Sequence, residues 1–403
     1  MKRILYFLLL AALLPVCCKK QAPERVWTDS SIVYELNVRQ FTPEGTFAAA
    51  QKQLPRLKAL GVDIIWLMPI YPIGELERKG SLGSYYAIRD YCDVNPEFGS
   101  LKDFDAFLAA AHDQGFKLIL DWVANHTSPD HPWVTEKPAD WYYRDSLGHT
   151  IVEYDWTDIA KLNYDTPEVG AAMRECMSFW VKRGVDGFRC DVAYQVPQAF
   201  WEATIPALRE EAGRGLYFLA EGEEAWLHAA GFDATYAWKL HRLVNDIARG
   251  PPTAIPWRAT SSGTRWNTPE MPSVFHSPPT TMRIPGQEPN SSGWGSLESH
   301  DRALLDLPES QPLIYTGQEI GWNKRFEFFE KDPVPEWKDN EYTAFYQYLT
   351  ALRHDHPALD PGSSFELLKV SPASITYRRS AGRDKVKVTV DLAEPWSYKI
   401  ETN

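Results

Sequence analysis

The sequence predicts an α/β protein: a closed (β/α)8 TIM barrel with a short B-domain insertion and a small, truncated C-terminal β domain. Three observations predict it. Strand-like and helix-like segments alternate along the chain. The strand-like segments are near-continuous apolar runs, as in a parallel sheet covered on both faces. About eight such units fit into roughly 330 residues, the size of one barrel with an insertion.

The N-terminus comes first. Lys2 and Arg3 precede an apolar run over 4–16, followed by Cys17 and Cys18. A basic start with an apolar stretch too short to span a bilayer is the pattern of a signal peptide, here 1–18. A cysteine directly after Leu14-Pro15-Val16 resembles a bacterial lipoprotein signal. The expected product is exported: a periplasmic or outer-membrane lipoprotein lipidated on Cys17 or Cys18, with ordinary secretion as the alternative. Residues 19–27 read as a linker.

The barrel is expected over 28–356. Strands are predicted at 32–36, 62–68, 117–123, 185–192, 216–221 and 312–316. Helices are predicted at 46–60, ended by Gly61; at 101–114, ended by Gly115; at 167–183, with Pro167 at its start and Gly184 at its stop; and at 197–212 and 339–354. The insertion, 126–165, is rich in Trp, Tyr, Pro and His. Alternation in Ser374-Ile375-Thr376-Tyr377-Arg378 and Val386-Lys387-Val388-Thr389-Val390 predicts an antiparallel domain over 357–403. Cys92, Cys176 and Cys190 are scattered, forming neither a disulfide framework nor a metal cluster, and read as small apolar residues.

The net charge of −12 argues against nucleic acid as a partner, since no basic face is available to displace counterions from phosphates. The 16 Trp, 19 Tyr and 18 Phe serve either a large core or stacking platforms for sugar rings, and composition leaves both open.

Functional residues of such barrels sit at the C-terminal ends of strands. Three predicted strand ends carry carboxylates: Asp121, Asp191 and Glu221. A carboxylate closing an apolar strand costs desolvation unless it is paired or used. Side chains alternate along a strand, so Arg189 and Asp191 point the same way, and the guanidinium is expected to hold Asp191 ionised. That suits a nucleophile. Partial burial and the neighbouring Glu223 and Glu224 are expected to raise Glu221, which suits a general acid. A retaining glycosidase needs such a pair about 5–5.5 Å apart.

These residues carry a resemblance. Asp121-Trp122-Val123-Ala124-Asn125-His126, Gly187-Phe188-Arg189-Cys190-Asp191-Val192-Ala193 and Ala220-Glu221 resemble the first three conserved regions of the α-amylase superfamily, glycoside hydrolase family 13. Gly83-Ser84-Tyr85-Tyr86-Ala87-Ile88-Arg89-Asp90-Tyr91 matches the stretch bearing its stacking tyrosine. Pro312-Leu313-Ile314-Tyr315-Thr316-Gly317 resembles its eighth strand. The resemblance implies Asp191 as nucleophile, Glu221 as acid/base, and Tyr86, Asp121, His126 and Arg189 as substrate-site residues. It also implies a retaining double displacement on α-glucosidic substrates.

The family's third carboxylate, within Asn-His-Asp near the seventh strand, has two readings. One assigns it to Asp301 with His300 as its neighbour, although only ten residues then precede the eighth strand. The other is genetic. The codons for Asn-His-Asp-Glu-Asn-Ser-Trp, read one nucleotide later, can spell Thr280-Thr281-Met282-Arg283-Ile284-Pro285-Gly286. A stretch beginning between 250 and 276 and ending between 295 and 303 would then be out of frame, with a broken seventh strand and Met282 where the Asp belongs. A genuine Pro/Ser-rich loop is the alternative.

The calcium site of many relatives is not expected here. Asn125 is present, but Lys161 replaces an aspartate and no His follows Asp191; a lysine cannot ligate a hard cation. No cofactor is predicted. The function expected is hydrolysis of starch- or maltodextrin-type α-glucans, with transglycosylation or isomerisation of α-glucosides, or an inactive glycan-binding lipoprotein, as alternatives.

Overall fold

The apolar runs become the staves of a barrel. A computed structural model describes residues 28–239, 274–276, 310–322, 324–371, 374–391 and 397–403. Eight strands close on one another: β1 (Val33–Leu36), β2 (Ile64–Leu67), β3 (Lys117–Trp122), β4 (Gly187–Cys190), β5 (Tyr217–Ala220), β6 (Ala234–Tyr236), β7 (Val274–His276) and β8 (Ser310–Tyr315). Their order is sequential around the ring, with β8 returning to β1, and all pairings are parallel.

Both faces of these strands are covered, which is why the sequence shows runs and not alternation. Val33, Ile64, Trp66, Ile119, Tyr217, Leu219, Tyr236 and Leu313 fill the barrel interior. Tyr34, Ile65, Leu118, Leu120, Phe188, Phe218 and Ile314 face the surrounding helices. Gly187 must be glycine: its φ is +152°, and a Cβ there would stand 1.8 Å from the Tyr217 carbonyl oxygen. The missing side chain lets β4 approach β5.

The helix predicted at 46–60 is two helices, α1 (Phe47–Gln51) and α2 (Leu54–Ala59). Pro55 is the reason. Without an N–H it fits a first turn and not a helix interior. Thr46 caps α1 by accepting from Ala49 N at 3.3 Å. Helix α3 (Leu101–Asp113) starts on a capping box between Ser100 and Asp103. Helix α4 (Pro167–Arg183) ends at left-handed Gly184, α5 (Gln198–Ala212) at left-handed Gly213, and α6 (Ala225–Ala229) follows β5. Asn340 caps α7 (Glu341–Asp355).

Two staves were not read from the sequence, β6 and β7; each has three residues. The seventh strand is not broken, because Val274–His276 pairs with β6 on one side and β8 on the other. Met282 lies six residues past its end and Asp301 twenty-five. Both, with His300, lie outside the described residues, as does Cys17-Cys18.

Within 126–165, two-residue strands His126–Thr127 and Ala160–Lys161 pair antiparallel at the foot of the insertion. A Trp133–Trp141 contact at 5.3 Å and a Tyr91–Trp133 contact at 5.8 Å anchor it to the barrel. The C-terminal strands β9 (Ser364–Ser371), β10 (Ser374–Ala381), β11 (Asp384–Asp391) and β12 (Ser397–Thr402) form an antiparallel meander. Arg353 of α7 ties the turn at Pro357–Leu359, which leads into this sheet, to the barrel, donating to the carbonyls of Asp29, Ser310 and Leu359. No described helix is long and apolar enough to cross a membrane.

The cysteines need correcting. Cys190 is buried in β4, but Cys92 and Cys176 are not scattered: the fold sets them against each other.

Candidate active site

Strand register assembles the site. Asp121 on β3 pairs with Arg189 on β4. The ladder continues past both strand ends, with Asp191 N donating to the Trp122 carbonyl and Glu221 N to the Cys190 carbonyl, each at 2.9 Å. Asp191 and Glu221 therefore stand side by side on the C-terminal rim.

Arg189 is the hub. Its guanidinium reaches Asp121 Oδ1, Asp191 Oδ1 and Glu221 Oε2, each at 2.9 Å, and donates from Nε to the Tyr236 hydroxyl at 3.3 Å. The sequence expectation gave Arg189 to Asp191 alone; three carboxyls share it. One buried positive charge cannot balance three buried negative ones, so the cluster must hold protons.

The carboxyl groups reflect this. Burial pushes Asp191 up to about 6 against the pull of Arg189. Asp121 also rises to about 6 through burial, again opposed by Arg189. Glu221 rises to about 7, through burial first and the Asp191 charge next. Two expectations change here. Arg189 does not hold Asp191 in the ordinary range, because desolvation outweighs it. The rise of Glu221 comes mainly from burial and Asp191, and not from Glu223 and Glu224 as its leading causes. The two carboxyls also act on each other, which lowers Asp191 and raises Glu221, so Glu221 keeps its proton to the higher pH.

Val192 follows the candidate nucleophile with φ +37° and ψ +44°, a costly conformation for a β-branched residue. It aims its N–H at Glu221 Oε2, 2.8 Å away.

Asp121 is fully enclosed. It accepts from Trp66 Nε1 at 3.2 Å and the Tyr86 hydroxyl at 3.1 Å. With no exposed surface it cannot contact a sugar; it fixes Arg189 and Tyr86 instead. Tyr86 stacks on Phe328 with rings 6.3 Å apart and 8° from parallel. His126 is buried beside Tyr86, hydrogen-bonds to its backbone, and is lowered to about 4 by burial, so its imidazole is neutral.

Sequence reasoning missed Trp66, Tyr236 and Phe328, which carry no charge to mark them. It also missed Glu35, buried inside β1 and raised to about 8 by burial, with Arg189 pulling the other way. The signal used for the other three was a carboxylate closing an apolar strand, and Glu35 lies inside its strand.

The residues at the implied calcium position do not fit a metal. Asn125 donates from Nδ2 to Glu153 Oε2 at 2.5 Å, and the other Glu153 oxygen pairs with the Lys161 ammonium. The amide presents hydrogens where a cation needs oxygen, and a lysine supplies the positive charge.

Residues 27–214 match the α-amylase catalytic domain model. An α-amylase from Lactobacillus plantarum has a similar structure, with a TM-score of 0.80 and 29% identity over 90% of this chain and 88% of that one. The chain is 27% identical to α-amylase MalA of Haloarcula japonica over 94% of its length, and 28% identical to the α-1,4-glucan:maltose-1-phosphate maltosyltransferase of Salinibacter ruber over 92%. It spans 58% and 60% of the length of those two relatives. Strand order, rim carboxyls and sequence agree that the chain has the fold of the α-amylases and that residues 27–214 are similar to their catalytic domain.

Proposed function

We propose that the protein is a retaining α-glycosidase that hydrolyses starch- or maltodextrin-type α-glucans. The observation that carries this is the placing of Asp191 and Glu221 side by side on one barrel rim, both 2.9 Å from the Arg189 guanidinium, with Glu221 raised to about 7 and Asp191 to about 6. In the first step Asp191 attacks the anomeric carbon while Glu221 gives its proton to the leaving glycosidic oxygen. The resulting glycosyl ester is opened by water, whose proton returns to Glu221. Arg189 moves neither proton. It offsets the charge left on Glu221 as that group gives up its proton, while holding Asp121 in place. Tyr86, braced by Asp121 and Phe328, offers the flat face on which a sugar ring stacks.

Incubation with defined maltooligosaccharides, pullulan and trehalose, following the anomer first formed by NMR, tests the reading. An α-anomer product that disappears in Asp191→Asn supports it; an inverted product, or release unaffected by that change, overturns it.

The likeness to a maltosyltransferase favours a second reading: the same ester is opened by a sugar hydroxyl, giving transfer or isomerisation. Acceptor sugars added to the assay separate the two. The Met282/Asp301 ambiguity favours a third, an inactive glycan binder. Maltodextrin binding with no turnover, from a gene whose sequence carries compensating insertions or deletions around 250–303, would support it. We also propose export and lipid attachment at Cys17 or Cys18, testable by incorporation of labelled palmitate that is lost when both are changed to serine.

A further inference from the structure

Cys92 and Cys176 take no part in the carbohydrate site and lie far apart in the chain, yet the fold joins them. Cys92 follows Tyr91 in the long loop between β2 and α3. Cys176 sits on α4, four residues before Trp180. Residues i and i+4 of a helix share a face, so Cys176 and Trp180 look at the same loop. Trp180 Nε1 donates to the Tyr91 carbonyl at 2.7 Å, pinning the loop backbone to the helix immediately beside Cys92. Tyr71 closes the cluster, its ring 5.8 Å from that of Trp180 and 6.1 Å from that of Tyr91. The two thiols are set together on this platform, and each shifts the ionisation of the other. Both are half-buried, so a reagent can reach them; Cys190 is enclosed in the barrel wall.

We propose that Cys92 and Cys176 are a redox pair that closes into a disulfide by exchange with a disulfide donor of the glutathione or protein-oxidant class. The thiolate of Cys92 attacks one donor sulfur, and the other leaves as a thiol carrying the Cys92 proton. Cys176 then attacks the Cys92 sulfur of the mixed disulfide and expels the second donor thiol, which takes the Cys176 proton. Two protein thiols are oxidised and one donor disulfide is reduced. The order follows from the effect each thiol has on the other: Cys92 is lowered and Cys176 raised, so Cys92 is the more readily ionised thiol and enters first.

The bond would tether two separate parts of the site. The β2–α3 loop carries Tyr86, and α4 leads into β4 with Arg189 and its neighbour Asp191. The chain closed between the cysteines is long, the case in which a crosslink restricts the unfolded state most.

The test is peptide mapping of the full chain after incubation with oxidised glutathione, alkylation and digestion without reductant. A linked peptide pair joining Cys92 to Cys176, lighter by two hydrogens than its parts, supports the proposal. So does a melting temperature that falls by about 5–10 °C on reduction, with the fall abolished in Cys92→Ser and in Cys176→Ser but kept in Cys190→Ser. Mapping reads the unmodified chain, so no variant need fold. Full alkylation of both thiols after oxidation, a persistent glutathione adduct on Cys92, or linkage of either cysteine to Cys190 overturns it. None of these outcomes depends on glycoside turnover.

Discussion

Burial raises both Asp191 and Glu221, and the small gap left between them gives the proposed reaction a narrow pH window. Asp191 must be ionised and rises to about 6; Glu221 must be protonated and rises to about 7. The kcat/KM profile is therefore expected to be a bell with limbs near those values. Glu221→Gln removes the alkaline limb and lowers kcat by about 10²–10⁴. A flat profile from pH 5 to 8 contradicts the assignment. Glu35 makes a separate prediction about stability. Its carboxyl rises from an ordinary 4.5 to about 8 in the fold, so the folded protein binds its proton more tightly than the unfolded chain. That contribution is full below 4.5 and lost as pH rises through about 8. Glu35→Gln is expected to raise the melting temperature at pH 9 relative to the parent and to bring no such gain at pH 5. At this scale the sequence was readable where charge interrupts an apolar strand. Trp66, Tyr236 and Phe328 were not readable, because an aromatic residue in an apolar run looks the same whether it braces a carboxylate or fills a core.

Elements explain how those groups reach one another. β4 delivers Arg189 and Asp191 only because Gly187 lets it lie against β5. Gly187→Ala places a methyl on the Tyr217 backbone and is expected to destabilise by more than the 1–3 kcal/mol usual for overpacking, seen as loss of soluble protein or of cooperative unfolding. The foot of the insertion depends on Lys161. Lys161→Ala leaves Glu153 without its cation and loosens Asn125 next to His126; KM for maltooligosaccharides should rise while EDTA changes nothing in the parent protein. EDTA inactivation reversed by calcium would refute that account of the junction. Long periodic elements such as α4 were legible to the residue, since Pro167 and Gly184 punctuate both ends. β6 and β7 were not. Three residues give no period, and only the neighbouring strands' unpaired edges select them.

Across the whole molecule the turn that leads into the C-terminal sheet is held to the barrel by Arg353, which is buried and donates to the carbonyls of Asp29, Ser310 and Leu359. Arg353→Met orphans those acceptors and is expected to cost about 2–4 kcal/mol, measured by denaturant unfolding, with the sheet protected less than the barrel in hydrogen exchange. The sequence by itself determined the architecture and the identity of the rim carboxylates, because strand burial and desolvation cost are written residue by residue. Tertiary structure alone decided how one guanidinium is shared among three acids, how far burial raises each of them, and which cysteines are set together. Those outcomes depend on distances between segments remote in the chain, and local periodicity carries no information about them.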